Sequence, residues 1–131
     1  MRYWSLDFLR CLHCKNYPLE LIPLEIEQQD IDASGLTFPI CRNYCGYLKE
    51  EIKQDKEYPC AECLRIAVKT GILYCSKCQR WYPIRNGIVY MLRDSKRREE
   101  SDKEFLRKYR EKIPETILRS GKPFNLAEEL Q

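Results

Sequence analysis

Apolar and polar positions alternate twice in the first third of the chain, at Tyr17-Pro18-Leu19-Glu20-Leu21 and again at Leu24-Glu25-Ile26-Glu27. A period of two puts alternate side chains on one face, so each run predicts a strand buried on a single side. Pro23 stands between them and lacks an N–H, so it should break or bulge the pairing. Ahead of these runs, Ser5-Leu6-Asp7-Phe8-Leu9-Arg10 predicts a short helical turn, with Ser5 as cap and Leu6 and Leu9 on one face. Asp30 to Pro39, punctuated by Ser34-Gly35 and Pro39, predicts a loop or weak strand. Two helices are expected next. One is polar and exposed over 47–55, and the other runs from Ala61 to Lys69, carries Leu64, Ile66, Ala67 and Val68, and is stopped by Gly71.

The second half is patterned more sharply. Ile72-Leu73-Tyr74 reads as a strand, and Arg80-Trp81-Tyr82-Pro83-Ile84 and Ile88-Val89-Tyr90-Met91-Leu92 flank Asn86-Gly87, a hairpin signal because both turn residues tolerate positive φ. Ile88 to Leu92 are five apolar residues without alternation. That suits a strand apolar on both faces or one that pairs with another chain, while the plainer role is the core of its own hairpin. Beyond Arg93, Phe105, Leu106, Tyr109 and Ile113 form an amphipathic helical stripe that Pro114 ends. Residues 114–131 are either a loop lying on the sheet or an arm that needs a partner. The expected fold class is therefore α+β: a zinc-ribbon-like small antiparallel sheet (1–26 and 70–93), a helical insertion (27–69), and a C-terminal helix and tail (94–131).

Composition narrows the function. With 131 residues, 44% hydrophobic and 33% charged, the chain supports one modest core. It has no run of eighteen apolar residues, and its first residues lack a signal peptide's apolar stretch and cleavage site, so a cytoplasmic chain without a membrane segment is expected. The net charge of +3 comes from 23 basic and 20 acidic side chains mixed along the sequence, which implies no strong single-sign field. The eight cysteines change the picture most. In a reducing compartment thiols stay free and serve as metal ligands. The high Lys, Arg and Glu content also fits a hyperthermophile, in which intracellular disulfides persist.

Structural zinc takes four soft or borderline ligands in a tetrahedron, and a Cys-x-x-Cys turn sets two thiolates on one side of a tight knuckle. Cys11/Cys14 and Cys75/Cys78 supply two such turns, the second leading into the hairpin. Four thiolates leave no open position for water or substrate, so the metal expected here is structural zinc. Cys41/Cys45 and Cys60/Cys63 form another set, whose spacing admits a second zinc, two disulfides or unpaired thiols. His13, the single histidine, reads as an exposed spacer within its knuckle. With no Gly-rich phosphate loop and no G-x-G-x-x-G, the chain lacks the parts of a hydrolase, kinase or nucleotide-binding enzyme, and no catalytic residue is assigned.

Two segments carry a resemblance: Met1-Arg2-Tyr3-Trp4-Ser5-Leu6-Asp7-Phe8-Leu9-Arg10-Cys11-Leu12-His13-Cys14, and Cys75-Ser76-Lys77-Cys78 leading to Arg80-Trp81-Tyr82-Pro83-Ile84-Arg85-Asn86-Gly87-Ile88-Val89-Tyr90-Met91-Leu92. Together they resemble the small zinc-ribbon activator subunit shared by S-adenosylmethionine-dependent methyltransferases of archaea and eukaryotes. The Tyr-Pro-Ile-x-x-Gly-Ile-x-x-Met-Leu core is the specific part. Val89 departs from the proline of many members and Gln79 from their glycine; neither change removes a ligand. The resemblance implies a non-catalytic partner that forms a heterodimer with a Rossmann-like methyltransferase, covers its apolar surface and keeps it soluble. S-adenosylmethionine would bind only in the partner enzyme, and RNA would be met only through that partner. Family partners modify tRNA, rRNA and a translation release factor. The expected interface is Ile88, Val89, Tyr90, Met91 and Leu92 added beside an edge strand of the enzyme, with Trp81, Trp4 or Phe8 as aromatic anchors.

Two rival readings stand beside this one. A zinc-ribbon nucleic-acid binder would use Lys96-Arg97-Arg98, Lys103, Arg107, Lys108 and Arg110, although Glu99, Glu100, Asp102, Glu104 and Glu111 are interspersed among them. A dithiol redox protein would use the Cys-x-x-Cys pairs, but the βαβ pattern of a thioredoxin-like fold is absent.

Overall fold

A computed structural model of the chain describes residues 1–32 and 34–130. After a 3-10 turn at Tyr3–Asp7 come strand β1 (Glu20–Gln28), the short strands β2 (Tyr44–Cys45) and β3 (Glu50–Glu51), and the single-turn helix α1 (Cys60–Cys63). They are followed by β4 (Ile66–Tyr74), β5 (Trp81–Arg85), β6 (Ile88–Val89), α2 (Glu99–Lys108) and α3 (Glu115–Ser120). The main sheet is antiparallel in the order β1-β4-β5-β6, and β2 pairs with β3 apart from it. The α+β fold class expected from the sequence is the one observed.

β1 spans both alternating runs. Its register against β4 shifts between Pro23 and Glu25, the irregularity that a proline without an N–H imposes. Asn86 and Gly87 have φ of 52° and 77°, so the turn between β5 and β6 is the tight hairpin read from Asn-Gly.

The insertion is where expectation fails. Residues 47–55 hold the β3 end of a small hairpin, and 66–69 belong to β4; α1 is the one helical turn between them. Ile66, Val68, Thr70 and Ile72 are β-branched at every second position, and β1 offers a partner for all of them, so pairing overrides the helical reading. Gly71 does not stop a helix. It lies within β4, where an added Cβ would stand 2.8 Å from the Ile22 carbonyl oxygen.

The sheet buries both of its faces. Leu21, Val68, Leu73, Tyr82 and Ile84 pack with Leu6, Cys11 and Cys75 on one side. On the other side Ile72, Tyr74 and Trp81 pack under Phe105, Leu106, Ile117, Leu118 and Leu126 from the tail. The tail thus covers the sheet. The Trp81 N–H donates to the Lys122 carbonyl oxygen at 3.0 Å, and the Trp81 indole Nε1–H donates to that of Phe124 at 2.8 Å. Arg97 lies over the Trp81 ring at 4.7 Å and pairs with Asp102 at 2.7 Å, both of them buried.

Trp81 is therefore not an available partner anchor: its side chain is fully buried between Phe105 and Arg97. Nor is 88–92 a strand buried on both faces. The doubly buried strands are β4 and β5, and β6 is a short strand at the sheet edge.

Candidate metal centre

Each cysteine of the first set is placed by a backbone turn of the same construction. In the amino-terminal knuckle the Cys11 N–H donates to Asn16 O at 3.0 Å, the Lys15 N–H returns to Cys11 O at 2.9 Å, and Lys15 has φ 64°. In the other, the Cys75 N–H donates to Arg80 O at 2.8 Å, the Gln79 N–H returns to Cys75 O at 2.8 Å, and Gln79 has φ 66°. The second knuckle closes the β4–β5 hairpin, where Tyr74 lies opposite Trp81. Sheet register thus fixes one knuckle, and packing of Leu6 and Cys11 against the same sheet fixes the other.

The two turns bring all four sulfurs within 4.8 Å of one another. Across the pairs, Cys11 and Cys78 are 3.5 Å apart, and Cys14 and Cys75 are 3.4 Å apart. Tetrahedral zinc with Zn–S bonds of about 2.3 Å needs sulfurs roughly 3.8 Å apart, so the donor set fits in number, softness and spacing. Cys11 and Cys75 are buried, while Cys14 and Cys78 are half-buried. The tetrad can bind a metal ion and leaves no ligand position open. His13 is exposed and does not belong to the tetrad.

Local hydrogen bonds prepare one thiolate. Burial pushes the Cys11 thiol up, but the Tyr82 hydroxyl 3.3 Å away, the N–H groups of Cys14 and His13 and the Cys78 thiol outweigh it and bring it to about 6. Burial dominates at Cys75, which is pushed up to about 12 despite the N–H groups of Cys78 and Lys77. Four adjacent thiols cannot all ionise without a cation among them, whereas a divalent ion removes that repulsion. Tyr82 was not expected at the site. A tyrosine seven residues from Cys75 carries no signal of its own, because the β4–β5 hairpin alone folds it back onto Cys11.

The second cysteine set lies in the insertion. Cys41, Cys45, Cys60 and Cys63 line one small cavity, and all eight cysteines of the chain are free. Burial, then the neighbouring charges of Asp7, Cys45 and Cys60, push the Cys41 thiol up to about 11. The insertion is fastened to the amino-terminal turn by Asp7, whose carboxylate accepts the N–H groups of Arg42, Asn43 and Tyr44 at 2.9, 2.7 and 2.8 Å.

The expected partner strand is at the surface. Ile88, Tyr90 and Leu92 are 57%, 38% and 42% exposed, while Val89 and Met91 turn inward onto the core. Alternation invisible in an all-apolar run thus appears once the strand has a sheet behind it. Trp4 and Phe8 are exposed too, their rings 5.7 Å apart.

The model of the Trm112p-like protein family matches residues 5–87, which include the first tetrad, the second cysteine set and the β5 strand. The chain belongs to this family. Among solved structures, a chain of the E. cuniculi Mtq2–Trm112 complex, responsible for the methylation of the eRF1 translation termination factor, is similar in fold. It is 22% identical, covers 70% of this chain and 95% of its own, and gives a TM-score of 0.52. No curated protein matches the chain. The family match stops short of β6 and of the tail that covers Trp81.

Proposed function

We propose that this chain is a non-catalytic zinc-binding subunit that binds, solubilises and activates S-adenosylmethionine-dependent methyltransferases acting on tRNA, rRNA or a translation release factor. The observation that carries the reading is a row of exposed apolar side chains on β6 and just beyond it: Ile88, Tyr90 and Leu92 face outward while Val89 and Met91 pack onto the core. A second chain that pairs along this edge satisfies its free backbone groups and buries the three side chains together. Family membership supports a methyltransferase as that chain, and the fold is shared with a chain of a complex that methylates a termination factor. Because the subunit binds only the folded enzyme, it stabilises that enzyme by mass action.

Cys11, Cys14, Cys75 and Cys78 would hold zinc, which supplies a structural crosslink between the two knuckles and no chemistry on a substrate. In domain terms, 1–26 and 70–93 carry metal and interface, with β1 and β4 extending that ribbon to Gln28 and Ile66; the segment between these strands is the insertion, and the tail after residue 93 seals the rear face. Free thiols throughout fit a cytoplasmic chain, and among the described residues no helix is long and apolar enough to cross a membrane.

The nucleic-acid reading is weakened by α2, two of whose three cations are ion-paired: Lys103 with Glu99, and Arg107 with Glu129. Co-purification from native cells tests the proposal. Stoichiometric recovery of methyltransferases with the wild type, lost with Tyr90→Asp while zinc content is retained, is the expected result. Recovery of RNA without any methyltransferase, with affinity falling steeply as salt rises, would replace it by the nucleic-acid binder.

A further inference from the structure

The cavity among Cys41, Cys45, Cys60 and Cys63 measures about 20 Å³ and also touches Tyr3 and Ile52. Its walls resemble half of the first tetrad. The Lys49 N–H donates to Cys45 O at 2.7 Å, and Lys49 has φ 59°. This is the bond and the left-handed residue found four positions after Cys11, at Lys15, and four after Cys75, at Gln79. The Leu48 N–H also points at the Cys45 sulfur, 3.4 Å away. Residues 45–49 therefore form a third knuckle with leucine where the first two have their second cysteine, and Cys41 provides the thiol that the turn itself lacks.

Across the cavity, Cys60 and Cys63 share the single turn of α1, closed by the Cys63 N–H to Pro59 O and the Leu64 N–H to Cys60 O, both at 2.9 Å. Residues three apart on a helical turn project to one side. All four cysteines thus line one space that fits about one water-sized sphere.

We propose that Cys41, Cys45, Cys60 and Cys63 hold a second structural metal ion of the zinc class. The turn at Cys45 has the backbone closure of the two knuckles that form the first tetrad, and its Leu48 N–H points at the Cys45 sulfur. The four cysteines share one cavity wall with aromatic and aliphatic residues, including Tyr3, Tyr58 and Ile52. The insertion also has little else to fold around: its buried cluster is Cys45, Tyr58 and Cys60, with Ile40, Tyr47 and Ile52 partly covered. These sulfurs are more widely spread than those of the first tetrad, which among the described residues is the group with every ligand atom within 4.8 Å of the rest. Binding therefore draws the pairs inward and tightens the insertion.

The test is a metal and thiol count on the full chain, purified without reductant. The expected result is about two equivalents of zinc per chain, with all eight thiols titratable after denaturation in the absence of reductant. Cys60→Ser, and the fourfold change of Cys41, Cys45, Cys60 and Cys63 to Ala, should each lower the count to about one equivalent, held by the first tetrad. Should these variants not fold, cobalt titration of the wild type decides the matter, since tetrathiolate charge-transfer absorbance saturates near two equivalents of cobalt if both sites exist. One equivalent with eight titratable thiols would show simple buried thiols, and fewer thiols that recover on reduction would show disulfides; either overturns the proposal.

Discussion

The two cysteine sets use similar turns in different surroundings. Cys75 and Cys78 close a hairpin whose strands are central in the sheet, and the core packs directly against Cys11 and Cys75. The knuckle at Cys45 closes only the two-residue strands β2 and β3, and its partner cysteines ride on one turn of helix. Sheet pairing and core packing therefore fix the first set in addition to its own turns. The second is held by local hydrogen bonds, by Asp7, and by Gly46, where an added Cβ would stand 2.5 Å from the Leu6 side chain. Preorganisation, more than ligand chemistry, separates the tightly clustered tetrad from the open one.

Removing a ligand from the first set should break this contrast most severely. Cys75→Ser removes one of the four thiolates proposed to hold zinc, and because structural zinc sites contribute on the order of 10 kcal/mol, cooperative thermal unfolding should disappear. A sharp transition retained in calorimetry would show that the sheet folds without its metal. Trp81→Ala comes next: it empties the packing between Phe105 and Arg97 and should cost about 3–5 kcal/mol in denaturant unfolding, with the metal content of the first tetrad unchanged. An effect below about 1 kcal/mol would mean that the tail does not depend on this ring.

Asp7→Ala sharpens the comparison, since it loosens only the insertion. It removes the acceptor of three backbone N–H groups and should cost about 1–2 kcal/mol after solvent screening, with faster hydrogen exchange confined to residues 41–64. Uniform exchange across the sheet would show that the insertion is not a separate stability unit. The same carboxylate gives a pH signature. Burial raises its pKa, but the N–H groups of Arg42, Tyr44 and Asn43 outweigh that and hold it below the ordinary carboxylate value. A depressed folded-state pKa means that its stabilisation is present above the unfolded value and is lost as pH falls through the folded one. The exchange difference between wild type and Asp7→Ala should therefore vanish in acid.

Tyr90→Asp should have the smallest effect on the free protein, within about 0.5 kcal/mol, because the side chain is at the surface. Its effect on methyltransferase capture should nonetheless be complete. A large loss of stability would instead assign this residue to the core.

Much of this fold was legible because its signals are local. Cys11-x-x-Cys14 and Cys75-x-x-Cys78 define their turns within a few residues, Asn86-Gly87 defines its hairpin, and Pro23 marks its bulge. The helix expected over 61–69 failed because Leu64, Ile66, Ala67 and Val68 are apolar at spacings that suit either element, and the choice fell to β1, some forty residues earlier. Trp81 misled for a related reason: an aromatic residue in a hairpin is an anchor or a core residue depending on what covers it. What covers it is the tail, whose helices α2 and α3 lie beyond the family match.

The sequence by itself determined the chemistry: which residues are soft ligands and how they are paired along the chain. Only the tertiary structure decided which thiols meet, because Cys14 and Cys75 are sixty-one residues apart in sequence and 3.4 Å apart in space. It also decided which face of Ile88–Leu92 is free, since five apolar residues in a row have no outside until β5 packs beside them. Spacing within a turn is set by a handful of torsion angles and can be read directly from the chain. Contact between distant segments depends on which surfaces compete for burial, and that is settled only when the whole chain has folded.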